Sequence, residues 1–209
     1  MLQVDRAPEV RAYFGATGCG KSHEVKARLL ERADPRLITI DPDGEYAAIA
    51  PVYLSLSSLT RSTAESSTFR VGFIPSDDRD TGIEQFNFLC RLAWERAQQH
   101  GSVCFAVDEL ADFTEPNAAP RYWRRLVRRG RKYGVSVFAI SQRPADVDKT
   151  IFSNASMIRT GRLNRANDQV ELARSLNVPL AQVAALSGFD FIERDGHTGE
   201  LRSSASFPP

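Results

Sequence analysis

The sequence predicts an α/β fold, a mostly parallel sheet flanked by helices, on three observations. Short apolar runs rich in Val, Ile and Phe alternate with longer amphipathic segments, as strands do when crossover helices bury both of their faces. The octapeptide GATGCGKS at residues 15–22 joins one such run to a helical stretch. A later apolar run, residues 103–107, ends on the paired acids Asp108 and Glu109.

Taken in order, Val10, Arg11, Ala12, Tyr13 and Phe14 suit a strand. Residues 24–33 carry Val25, Ala27, Leu29 and Leu30 at helical spacing before Asp34-Pro35 ends the helix. Residues 37–40 read as a second strand, followed by the turn-rich Asp41-Pro42-Asp43-Gly44 and by short strands at 52–54 and 69–74. A long helix is expected over 83–99, with Phe86, Leu89, Cys90, Ala93, Trp94 and Ala97 on one face and Gly101 as its stop. Next come the strand at 103–107, a loop with Pro116 and Pro120, a basic helix ending at Gly130, and a strand at 135–140. Helices over 166–176 and 179–186 and a hairpin at 191–196 complete the pattern. A chain of 209 residues with 42% hydrophobic and 25% charged residues buries one good core, so a single domain is expected over 1–202, with a disordered tail at 203–209.

Several classes are disfavoured. No apolar run approaches the roughly 18 residues that a bilayer requires, and the N-terminus lacks a signal-peptide layout, so a cytoplasmic location is expected. The cysteines, Cys19, Cys90 and Cys104, are odd in number and lack metal-ligand spacing, which reads as reduced thiols. Cys19 is open to two readings, a thiolate activated by a helix N-terminus or a small loop residue. A formal net charge of +1 does not advertise nucleic-acid binding. Local charge is another matter: Arg121, Arg124, Arg125, Arg128, Arg129, Arg131 and Lys132 crowd one short segment.

The octapeptide fits GxxxxGK(S/T) at every fixed position. Its backbone N–H groups, from Gly15, Ala16, Thr17, Gly18, Cys19 and Gly20 onward, are the expected cradle for a triphosphate. Lys21 would bridge the β- and γ-phosphates, and the Ser22 hydroxyl would reach Mg²⁺. The acids at 108 and 109 resemble a Walker B motif. In a parallel sheet the ligand crevice lies beyond the C-terminal strand ends, so these acids and the phosphate loop can share one Mg-nucleotide. Asp108 would hold the metal and Glu109 would orient and deprotonate the attacking water. Gln142, after the strand at 135–140, is either a sensor of the γ-phosphate or an ordinary loop residue.

Four ordered blocks then carry a resemblance: GATGCGKS at 15, LITIDPDGEY at 37, VCFAVDE at 103 and RRGRKYGVSVFAISQRPADVDKTIFSNAS at 128, continuing into RTGRLNRANDQ at 159. The chain resembles the HerA and FtsK superfamily of P-loop DNA-translocating ATPases over about residues 10–176. The resemblance implies a RecA-like sheet and a homo-oligomeric ring, usually a hexamer, with ATP between neighbouring subunits. Carried over residue by residue, it assigns Lys21 and Ser22 to phosphate and Mg²⁺, Asp108 to Mg²⁺, Glu109 to catalysis and Gln142 to sensing. Asp41 and Glu45 become candidates near the nucleotide, or else members of a rigid turn. Arg131, then Arg128 and Arg129, are candidates for a finger acting in trans. A solvated basic face or a contact to DNA phosphates are the alternatives for that cluster.

The chain offers little beyond a motor core. That economy resembles the genome-packaging ATPases of tailless, membrane-containing double-stranded DNA viruses and phages. The leading expectation is therefore ATP-driven movement of double-stranded DNA into a capsid, with capsid or portal-vertex proteins as further partners. A motor for phage assembly, conjugation or repair, a non-translocating nucleotide switch, and a small-molecule kinase are the alternatives. Glu109 argues against the kinase, which should exclude a water-activating base. The loops at 76–82 and 112–119 are candidates to face DNA.

Overall fold

The computed structural model describes residues 7–204. Among these residues one sheet is formed by β1 (Val10–Phe14), β2 (Arg36–Ile40), β3 (Val52–Tyr53), β4 (Phe69–Phe73), β5 (Val103–Val107), β6 (Val135–Ser141), β7 (Met157–Thr160), β8 (Ile192–Asp195) and β9 (Leu201–Ser203). The helices are α1 (Lys21–Arg32), α2 (Leu56–Ala64), α3 (Arg79–His100), α4 (Arg121–Arg129), α5 (Thr150–Asn154), α6 (Ala166–Leu176) and α7 (Leu180–Ala184). The strand order is β3-β4-β2-β5-β6-β1-β7-β8-β9. Pairing is parallel from β3 across to β7, and β8 and β9 add antiparallel at one edge. The predicted α/β class with a mostly parallel sheet is what forms.

Every residue of β2, β5 and β6 is buried, which explains why these strands read as unbroken apolar runs. Alternate residues feed two cores, because successive side chains on a strand point to opposite faces. On one face Tyr13, Leu37, Cys104, Phe138 and Ile140 pack with Val25 and Leu29 of α1. On the other, Phe14, Ile38, Phe105 and Val137 meet residues of α3 and α4, with Trp123, Leu126 and Val127 all buried. The Phe86 ring lies 4.9 Å from Phe113 and 5.5 Å from Trp123, which joins α3 to the 3₁₀ turn at Leu110–Asp112 and to α4.

Several elements differ from expectation for identifiable reasons. Helix α3 starts at Arg79 rather than 83, because the Asp78 side chain accepts the Thr81 N–H at 3.0 Å and caps it. Helix α2 was not expected: its Ser/Thr-rich sequence has weak intrinsic helicity, and burial of Leu59 and Thr63 holds it. Strand β7 was likewise unanticipated. The hairpin expected at 191–196 is instead β8 alone, with its turn further on and β9 as partner; Asp195 Oδ1 accepts the N–H groups of His197 and Thr198. Part of the expected tail is ordered. Ser203 closes β9, and the Ser204 N–H donates to the Phe191 carbonyl at 3.2 Å; residues 205–209 lie outside the described residues.

The decisive consequence is positional. Strands β5, β6 and β1 are adjacent at the sheet centre, so the segments leaving their C-terminal ends share one crevice.

Candidate active site

The loop after β1 is shaped by glycine. Gly20 has φ +90°, and Gly15 has φ +146° with no room for a side chain, since a Cβ there would stand 2.5 Å from Cys19 Sγ. The Cys19 thiol is buried in this space. The Gly15 N–H donates to the Ser141 carbonyl and the Ala16 N–H to the Arg162 carbonyl, which fixes the loop between β6 and the segment after β7. Gly20 caps α1, so the loop leads directly into a helix N-terminus, a position whose free N–H groups suit an anion. Lys21 begins the helix, and its Nζ folds back to donate to the Ala16 carbonyl at 3.2 Å.

Across the crevice, Ser22 Oγ donates to Asp108 Oδ2 at 3.4 Å, and Asp108 Oδ1 accepts the Glu109 N–H at 3.0 Å. Burial first, and the charge of Glu109 second, push the Asp108 carboxyl up to about 6. Glu109 has φ +50°, the left-handed region that costs a non-glycine residue about 1–2 kcal/mol. That conformation turns its carboxylate toward β6. There Gln142 Nε2 donates to Glu109 Oε1 at 2.6 Å and the Gln142 N–H to Oε2 at 3.3 Å. Gln142 Oε1 in turn accepts the Thr17 hydroxyl at 2.7 Å. One chain of hydrogen bonds thus runs from the phosphate loop through Gln142 to Glu109.

A divalent ion suits the donors present. Among the described residues no group of three or more His, Cys, Asp or Glu could hold a metal alone. Ser22 and Asp108 supply hard oxygens and leave the other positions to phosphate and water, as Mg²⁺ requires.

Asp41 is buried, and its two oxygens accept the N–H groups of Glu45 and Tyr46 at 2.9 and 2.7 Å. Its carboxyl is raised, by burial foremost, against the pull of those bonds. Glu45 pairs with Lys26 of α1 at 3.0 Å. Both are engaged in the turn, which seats the Tyr46 ring against the site; burial, then the charges of Asp108, Asp41 and Glu45, drive the Tyr46 pKa up.

The arginines are elsewhere. Arg128 and Arg129 end α4, Arg131 lies in the 3₁₀ turn at Gly130–Tyr133, and all three are exposed at the N-terminal end of β6. Gln142 follows the far end of this strand, so roughly 20 Å separates Arg131 from the site of its own chain. Arg125 covers the Trp94 ring at 4.1 Å and Arg124 Nη2 donates to the Asn117 carbonyl, so those two serve packing. The loops at 76–82 and 112–119 line a cavity of about 610 Å³ whose wall carries Asp77, Asp112, Glu115 and Asp146 with Arg79. Two neighbours of the phosphate loop were not picked out from sequence: Arg162, whose Nη2 donates to the Thr17 carbonyl, and Phe189, against Gly20. Arg162 lay inside a block of resemblance; nothing in sequence marked Phe189.

No family model matches the chain. It is 27% identical over 172 residues to Protein P9 of Pseudoalteromonas phage PM2, covering 82% of this chain and 77% of that protein. The genome packaging NTPase B204 of Sulfolobus turreted icosahedral virus 2, in complex with AMPPCP, superposes with a TM-score of 0.76 at 17% identity, over 97% of this chain and 100% of that one. The fold is that of the packaging NTPases. VirB4 of Thermoanaerobacter pseudethanolicus also matches, with a TM-score of 0.70 at 13% identity over 95% of this chain and 89% of its own. The resemblance read from the four sequence blocks is met at the level of the fold. Among the described residues no helix is long and apolar enough to cross a membrane.

Proposed function

We propose that this chain is an ATPase that moves double-stranded DNA, most directly in packaging a viral genome into a capsid. The observation that carries the reading is the convergence of Lys21, Ser22, Asp108, Glu109 and Gln142 at one strand-end crevice. B204 is called a genome packaging NTPase and matches over nearly the whole chain, which supports the packaging assignment over phage assembly, conjugation or repair.

In this reading the phosphate loop holds the β- and γ-phosphates, and Lys21 leaves its carbonyl partner to neutralise them. Ser22 and Asp108 hold Mg²⁺, which when bound offsets charge on the phosphate oxygens. Glu109 accepts the proton of a water that attacks the γ-phosphorus in line, and ADP departs with the bridging oxygen. Gln142 touches both the base and the loop, so a ligand at Thr17 and the setting of Glu109 are linked through one side chain. Cations at 128, 129 and 131 lie too far to act within their own subunit. As fingers they would serve the neighbouring subunit of a ring, for which a hexamer is the expected form.

The test is phosphate release from Mg²⁺-ATP with and without double-stranded DNA. Turnover should rise with DNA and vanish in Lys21→Ala. Turnover indifferent to DNA in a folded sample would refute translocation and leave an ATP-dependent switch; no turnover at all would refute the enzyme assignment.

A further inference from the structure

Phe189 sits at the tip of a tight turn with 77% of its surface in solvent. The turn is internally fixed: the Ser187 N–H and hydroxyl both donate to Asp190 Oδ2, at 3.1 and 3.0 Å, and the Asp190 N–H donates to the Ser187 carbonyl at 2.8 Å. Gly188, at φ +49°, makes the bend. The backbone that carries Phe189 is thus fixed, while its ring stays outside the core. One edge of it rests on the phosphate loop, where a Cβ built on Gly20 would lie 3.4 Å from Cδ1 and 3.9 Å from Cε1. Phe191 beside it is already covered, because the Arg159 guanidinium stacks on its ring at 3.6 Å while pairing with Glu24 and Glu193 at 3.5 Å each.

Sheet order gives this ring a direction. Glu109 and Gln142 leave β5 and β6 on one side of β1, whereas Phe189 leads into β8 on the other side. A triphosphate whose γ end lies at Glu109 must run along the phosphate loop, past Gly20, and emerge on the β7 side. Its nucleoside then arrives beside the exposed aromatic face of Phe189.

We propose that Phe189 is the platform on which the base of the bound nucleoside triphosphate stacks. This rests on the nucleotide-binding reading above. Stacking uses the π-face that every base has, so Phe189 contributes affinity for a base rather than selection among bases.

The experiment titrates the full chain and its variants with Mg²⁺-ATP and with Mg²⁺-tripolyphosphate, which has the phosphates but no base. Phe189→Ala should weaken ATP binding about tenfold, the usual loss when a stacking aromatic is truncated, and leave tripolyphosphate unchanged. Phe189→Trp should restore ATP affinity and report it by quenching, since the native Trp94 and Trp123 are buried and the new indole is exposed. Unchanged ATP affinity in Phe189→Ala, with Lys21→Ala still losing both ligands, overturns the platform and leaves the phosphate site standing. Equal loss of both ligands overturns it as well, since the ring would then only brace the loop. Wild-type protein that binds neither ligand removes the nucleotide reading itself and the platform with it.

Discussion

Asp108→Asn isolates the cost of holding an anion ready for a cation. The Asp108 carboxyl is pushed from 3.8 up to about 6 by burial and by Glu109. The native pKa lies above the unfolded one, so between these values the folded chain binds more protons than the unfolded chain, and stability falls as pH rises. The gap is roughly two pH units at about 1.4 kcal/mol each, giving up to about 3 kcal/mol lost by pH 7. Asn keeps the shape and an oxygen to accept the Glu109 N–H, whose present bond is 3.0 Å. Urea unfolding in a chelator should therefore find Asp108→Asn more stable than wild type at pH 7.5. The difference should shrink through pH 6 and vanish near pH 4. Adding Mg²⁺ with ATP should reverse the order, because only wild type gains the full linkage from binding. A variant no more stable than wild type at pH 7.5 without metal, or a difference independent of pH, refutes the reasoning.

Three further outcomes follow from the geometry. Glu109→Gln keeps the side chain's length while removing the proton acceptor, so nucleotide affinity should stay near wild type while phosphate release drops about 10²–10⁴-fold; hydrolysis at the normal rate would remove Glu109 as the base. Gly134→Ala puts a Cβ 2.6 Å from the Gly101 carbonyl at φ +84°, which should cost about 1–3 kcal/mol in denaturant unfolding; an unchanged midpoint would mean the two segments part freely. Arg131→Ala should bind ATP without hydrolysing it and regain turnover when mixed with Lys21→Ala subunits, whereas normal turnover by the variant alone would end its role as a finger.

The central strands were legible because burial on both faces leaves an unmistakable apolar run, as in β5 and β6. Helix α6 coincides with the expected 166–176, since its buried Leu172, Ala173 and Leu176 keep helical spacing. Helix α2 was not legible, because Leu59 and Thr63 are fixed by tertiary burial that its Ser/Thr-rich sequence does not announce. The site was legible as residue types: Lys21, Ser22, Asp108, Glu109 and Gln142 each follow a strand or begin the helix after one, and parallel topology gathers such positions. Its internal wiring was not. The bonds of Gln142 to Thr17 and Glu109 join positions 125 and 33 residues apart. Phe189 comes beside Gly20 through a turn whose sequence neighbours say nothing of the phosphate loop.

Three departures from locally favourable structure lie together at the strand-end crevice. Asp108 is an acid held where burial resists its charge, Glu109 adopts a backbone conformation that suits glycine, and Asp41 is a buried carboxylate answered only by backbone N–H groups. Arg32 of α1, by contrast, with only 7% of its side chain exposed, pairs with Glu9 at 2.7 Å and Asp34 at 2.8 Å. These settings are explained if binding supplies the compensation, since a cation would answer Asp108 and a positioned water would answer Glu109. The same logic accounts for Lys21, whose ammonium rests on a carbonyl of its own loop, a weak partner that an incoming phosphate readily replaces. A bound nucleotide should therefore tighten this region before any chemistry begins.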